Sequence, residues 1–260
     1  MSLELGELVL LMLIFFGIAV LYSSVGFGGG SSYLAILALF FTSFFVIRST
    51  ALLCNLLVVS GSCYLFYKKG HLHFKKFLPF IITSVPFAFI GASFRLKEDI
   101  FFSILGVSLI IAAIALIMQT INIKSNYNPK NYSKYVPHIL GGFIGLLSGL
   151  VGIGGGIFLA PILHQMKWDK PIIIAALASF FILVNSISGI GGLVVNATFK
   201  VLWPETIGLI VAVFIGGQVG TRFTLSKLSA KRIRIITAIL VLFVGVRVLF
   251  NNGLQINFFS

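Results

Sequence analysis

The sequence is short of acids. Only six of its 260 residues are Asp or Glu, charged residues of both signs together make up 10% of the chain, and cysteine occurs twice. Glu4, Glu7, Glu98, Asp99, Asp169 and Glu205 all fall at the ends of apolar segments or between them. A carrier of cations or protons usually keeps a carboxylate inside a span. None is visible here, so proton coupling through an Asp or Glu relay is not expected. Cys54 and Cys63 lie on one apolar segment, about 13 Å apart along a helix, which is too far for a disulfide. They read as core residues. A Ser or Cys paired with His inside a segment is also missing, as are paired aspartates, so nothing supports catalysis. His71 and His73 lie in a basic loop and His138 and His164 at helix ends, without the acid or cysteine neighbours that would complete a metal site. The expectation is a protein that is not an enzyme and needs neither metal nor cofactor.

What the chain has instead is apolar length. Hydrophobic residues make up 58% of it, the mean hydropathy is +1.10, and several apolar runs reach the roughly 20 residues that a helix needs to cross a bilayer. The first run follows acidic flanking residues and shows no small-residue cleavage site, so it reads as a retained helix and not as a signal peptide. A net charge of +13 would suggest nucleic acid in a soluble protein. Here the basic residues lie in short loops, where they set topology and meet anionic lipid headgroups. The partners implied are the lipid bilayer and a small solute, not nucleic acid, with a homo-oligomer left open.

A glycine run occurs twice. Gly26-Phe27-Gly28-Gly29-Gly30 returns 126 residues later as Gly152-Ile153-Gly154-Gly155-Gly156, each copy between a long apolar segment and a short one. The spacing predicts a helix over about 5–25, a half-helix over 31–41, and spans near 46–67, 77–94 and 100–121. After a polar connector the pattern restarts with a helix over 136–151, a half-helix over 157–164, and spans near 171–195, 204–221 and 233–250. At the offset of 126, residues 23–37 and 149–163 share seven of fifteen identities, and Gly91 aligns with Gly217. This is an internal duplication: 1–121 is the first repeat, 122–135 the connecting loop and 136–260 the second repeat.

The loop charges decide how the halves are oriented. If each glycine loop is the tip of a hairpin that enters and leaves by one face, three crossings follow per half and the halves are inverted. One face then collects 14 Lys and Arg, and the other five, namely Arg48, Arg95, Lys97, Lys200 and Arg247. Four crossings per half would divide the same residues 10 against 9. Basic residues concentrate on the cytoplasmic side, so the expected architecture is an all-α integral membrane protein of two inverted repeats with both termini outside.

Three consecutive glycines within an apolar run have two readings. Helical backbone is broken in hydrocarbon only where it is buried in protein or lines a wet cavity, and glycine N–H groups at a helix N-terminus converge readily on an anion. The other reading is close helix packing, for which Gly141, Gly145 and Gly149 already form a small-residue stripe. Consecutive glycines favour the site reading. The residues expected to bind an anion are Gly26, Gly28, Gly29, Gly30 and Ser31 with Gly152, Gly154, Gly155 and Gly156. Behind them stand Ser24, Asn55, Asn185 and Gln218, since a hydroxyl or amide donates to an anion without burying a charge. Ser60, Ser62, Ser186 and Ser188 are further neutral polar residues within spans, and an interhelical hydrogen bond is the plain alternative for each. Arg95 and Arg222 sit just beyond the aligned Gly91 and Gly217, where they either draw anions inward or reach toward headgroups. No βαβ pattern surrounds either glycine loop, which excludes a dinucleotide fingerprint.

The duplicated Gly-x-Gly-Gly-Gly, the half-helix after it and the basic loops resemble the TauE/SafE family of sulfite exporter-like membrane permeases over essentially the whole chain. The resemblance implies movement of small sulfur-containing anions and organic acids, such as sulfite or sulfoacetate, across the plasma membrane. A passive anion channel and a scaffold or sensor using the glycines only for packing remain alternatives.

Overall fold

The structure is a computed structural model and describes residues 4–24, 28–41, 43–121, 130, 132–224 and 230–254. All regular structure among the described residues is helical. The first half contains α1 (Leu5–Ser23), α2 (Gly30–Phe40), α3 (Phe44–Lys68), α4 (Phe74–Ser93) and α5 (Glu98–Ile121). The second contains α6 (Tyr135–Val151), α7 (Gly156–Met166), α8 (Pro171–Val195), α9 (Trp203–Thr224) and α10 (Ala230–Arg247), the last running into a π-helical turn, Val248–Gly253. Six of these helices (α1, α3, α4, α5, α8 and α9) are long and apolar enough to cross a membrane. Large apolar side chains also point outward, with Leu13 64%, Ile139 68% and Val195 71% exposed. Such a surface is stable against hydrocarbon and not against water.

The observed bounds agree with the sequence expectation to within three residues, and the element order repeats. The short helices α2 and α7 have 11 residues each, and α3 and α8 have 25 each. The acids sit where helix dipoles favour them: Glu4 caps α1, Glu98 and Asp99 open α5, and Glu205 lies in the first turn of α9. Asp169, in the α7–α8 turn, accepts from the Lys170 backbone N–H at 2.7 Å and pairs with Lys76 Nζ at 2.8 Å.

Helix directions follow from which residues meet. The glycine stripe of α6 lies along α4, with Gly141 facing the Phe80 carbonyl, Gly145 that of Ser84 and Gly149 that of Ala88, so the two helices run parallel. On the opposite side α1 and α9 do the same, Gly208 meeting Met12, Gly216 meeting Phe16 and Gly220 meeting Val20. Helices α5 and α10 run antiparallel, since Gly106 meets Leu249 and Gly245 meets Leu109. The small-residue stripe of the sequence is thus a packing seam between α4 and α6. At Gly145 a β-carbon would stand 2.5 Å from the Ser84 carbonyl oxygen. Backbone cannot yield as a side chain can, so Gly145→Ala is expected to cost about 1–3 kcal/mol of overpacking. Thermal unfolding in detergent measures this, and an unchanged midpoint would refute the seam.

One expectation needs correction. Arg48 does not lie in a loop: it is the fifth residue of α3 and only 1% exposed. Helix α3 begins two residues earlier than its apolar run suggests, with Phe44 and Phe45 as the first turn, which draws Arg48 into the bundle.

Candidate functional site

Each glycine loop ends one helix and starts another. In the second half Gly152 closes α6 at φ +83°, Gly154 takes φ +83°, and Gly155 caps α7 at φ +81°. In the first half Gly29 caps α2 at φ +87°. The left-handed region costs an L-residue about 1–2 kcal/mol, and glycine enters it freely. Gly26 lies outside the described residues. Within α2 the N–H groups of Ser32 and Tyr33 return to the Gly29 carbonyl, both at 3.0 Å, and in α7 those of Phe158 and Leu159 return to Gly155, both at 3.1 Å. The N–H groups immediately before them, on Gly30, Ser31, Gly156 and Ile157, have no carbonyl to reach within their helices, and they carry the positive end of the helix dipole.

Both loops meet at Asn55. A β-carbon on Gly28 or Gly30 would overlap its amide, and one on Gly154 would lie 3.2 Å from its Nδ2. Asn55 Nδ2 donates to the Ile153 carbonyl at 2.7 Å, while Oδ1 is buried with no hydrogen-bond partner. The matching position in α8 is Ile182, which packs against Gly154 and Gly156 as Asn55 packs against Gly28 and Gly30. Each is the twelfth residue of a 25-residue helix. The two loops therefore converge at the middles of α3 and α8, with an amide behind one and a branched alkyl group behind the other.

A small cavity of about 10 Å³, room for roughly one water molecule, lies between them. Gly28, Gly29, Gly30, Ser31 and Tyr22 form one wall, and Ile153, Ile157 and Ile182 the other. The Tyr22 hydroxyl is hydrogen-bonded to Ser32 Oγ at 2.6 Å and lies 3.3 Å from Ser31 Oγ, tying the end of α1 to the start of α2. Other polar atoms at the loops lack partners: Tyr33 Oη against Gly29, Ser186 Oγ against Gly154, and the Ser148 hydroxyl, whose β-carbon packs on Gly155. An unpaired buried polar group costs about 1–3 kcal/mol. Four such groups, Asn55 Oδ1 included, lie at the two loops.

The remaining expected residues divide. Ser31 lines the cavity, whereas Ser24 donates to the Leu21 carbonyl at 2.6 Å within its own helix end. Asn185 is buried in α8, both atoms of its amide unpartnered. The Gln218 amide packs against Gly61 of α3, away from the loops. Ser60 returns to the Leu57 carbonyl, Ser62 pairs with Thr221 at 3.0 Å, and Ser188 donates to the Val85 carbonyl at 2.6 Å, so these three serve helix structure and packing. Arg95 is exposed and donates to the Asn196 carbonyl at the end of α8. Reading the sequence overlooked Tyr22 and the three isoleucines. Tyr22 was signalled only by a hydroxyl one turn before the glycine loop, and the isoleucines by nothing in an apolar chain.

Broken helices that meet inside a multi-pass bundle beside a small cavity are the arrangement in which membrane transporters build a substrate site. The chain belongs to the TauE/SafE family: the family described as "Sulfite exporter TauE/SafE" matches residues 11–248. It is 31% identical over 245 residues to the probable membrane transporter protein y4hK of Sinorhizobium fredii, an alignment covering 94% of this chain and 98% of that protein. It is 26% identical over 222 residues to the probable membrane transporter protein YunE of Bacillus subtilis, covering 78% and 80% respectively. No solved structure matches the chain.

Proposed function

We propose that the protein carries small anions, sulfur oxyanions or organosulfonates such as sulfite or sulfoacetate, across the plasma membrane by alternating access. The observation that carries this reading is the convergence of two glycine loops and two short-helix N-termini on Asn55. Backbone donors and dipoles of one sign favour a negative guest. The unlike walls suit a small anion with an apolar part: charge toward Gly28 to Ser31, carbon or sulfur toward the isoleucines.

The two halves act as inverted repeats. Antiparallel packing of the matching pair α5 and α10 supports this, as do the parallel seams α4–α6 and α1–α9, which interchange when the halves are exchanged. With Arg48 withdrawn into the bundle and Arg247 inside the helix formed by α10 and its π-helical turn, the second face keeps only Arg95, Lys97 and Lys200 against the 14 of the first, a sharper bias that keeps both termini outside. The site then lies near the bilayer midplane, where rocking of one half against the other exposes it to each side in turn.

Uptake by proteoliposomes tests the reading, using sulfite, thiosulfate, sulfoacetate, sulfate and acetate with and without a pH gradient. Saturable uptake of at least one sulfur anion, accelerated by the same anion inside the vesicle, is expected. Saturable uptake without that acceleration would indicate a channel, and no uptake of any of the five would refute transport of this class.

A further inference from the structure

We propose that Arg48 is an anion-binding residue of the transport path, a charged station beside the second glycine loop. The proposal rests on the anion-transport reading above. Arg48 is buried in α3 and, among the described residues, has no carboxylate within ion-pair distance. Its Nη2 donates to the carbonyl of Gly149 near the end of α6 and lies 3.5 Å from that of Gly91 near the end of α4, while Nε has no partner. Arg48 and Asn55 are seven residues apart, two turns along one face of α3 and about 10 Å in rise. The second glycine loop runs between them: Gly152 packs on Arg48, whose Cγ stands 2.7 Å from where a β-carbon would be, and Gly154 packs on Asn55.

Two features separate this role from helix capping. The negative ends of α4 and α6 hold the guanidinium in place, but carbonyls alone do not neutralise it, and removing a full charge from water costs several kcal/mol. An anion arriving at the free Nε side supplies the missing charge. The repeat itself does not need the cation: α8 starts 127 residues after α3, one more than the offset of the glycine loops, and its fifth residue, the counterpart of Arg48 by helix position, is Ala175. The same helix position thus packs with a methyl group in one half and carries a charge in the other.

Concentration-dependent uptake by reconstituted wild type, Arg48→Gln and Arg48→Lys tests the assignment, with each rate divided by the amount of folded protein. The probe is sulfite, or another anion of the panel if that one is carried instead. Loss of a charged hydrogen bond predicts a KM raised about 10- to 100-fold in Arg48→Gln, with Vmax within about twofold of wild type. Lysine keeps the charge and loses the planar fork, so its KM rises about three- to tenfold. If Arg48→Gln is not recovered folded, Arg48→Lys decides by the same threefold criterion. A wild-type KM in the folded variants, or a loss confined to Vmax and folded yield, would reduce Arg48 to a helix cap and overturn the proposal while leaving the transport reading intact. Wild-type protein inert toward all five anions would overturn that reading and the role of Arg48 with it.

Discussion

A Gly155→Val protein is expected to reach the membrane in near-normal amount and to carry less than about 1% of the wild-type anion flux, and Gly29→Val to behave alike. Both glycines cap a short helix in the left-handed region, at φ +81° and +87°, where a β-branched residue is most strained. Space is lacking as well: a β-carbon at Gly155 would stand 2.8 Å from Phe181 Cε1, and one at Gly29 2.8 Å from Tyr33 Cζ. The loop must shift, and the N–H groups at the start of the short helix shift with it. Donors displaced by as little as about 1 Å lose most of their hold on a small ion. Insertion depends instead on the apolar length of the spans, which neither substitution shortens. Flux per folded protein, beside the amount in the membrane, measures the effect. Unchanged flux in both variants would sink the assignment of the glycine loops to the site.

Asn55→Leu is expected to lower flux about 10- to 150-fold, the equivalent of one hydrogen bond to a charged group. Leucine keeps the forked outline of asparagine with bulkier tips, so a branched group still faces Gly28 and Gly30, as Ile182 faces Gly154 and Gly156, while the free Oδ1 and the bond to the Ile153 carbonyl are lost. Ser62→Ala removes a hydroxyl from the same helix face one turn beyond Val59, where it pairs with Thr221 and lies 3.5 Å from the Val58 carbonyl of its own helix. Interhelical bonds of that kind average about 0.6 kcal/mol in a membrane protein, so its flux should stay within about twofold of wild type. Equal effects of the two substitutions would mean that Asn55 is one more interhelical tie and not the junction of the loops.

The helices and their breaks were legible in the sequence. Backbone in hydrocarbon must satisfy its own hydrogen bonds, so a long apolar run is a helix and a glycine run inside it is a break. The repeat was legible for the same reason, since two matching breaks leave two matching short helices, Gly30–Phe40 and Gly156–Met166. The absence of acids from the middle of the spans, which the proposed anion path asks for, was legible too.

Which polar side chains meet the glycine loops was decided by the tertiary structure. Asn55, Gln218 and Ser62 look alike along the chain: each is a neutral polar residue in an apolar span. Only packing separates them, bringing Asn55 to both glycine loops, Gln218 to Gly61 and Ser62 to Thr221. In a water-soluble helix the polar face reveals which side is buried. Here lipid is as apolar as the protein interior, so the periodicity that would aim each residue is missing. Arg48 went astray for a related reason. A charge near the end of an apolar run reads as a loop residue, and only the carbonyls of Gly91 and Gly149, from two helices distant in sequence, give it a place inside.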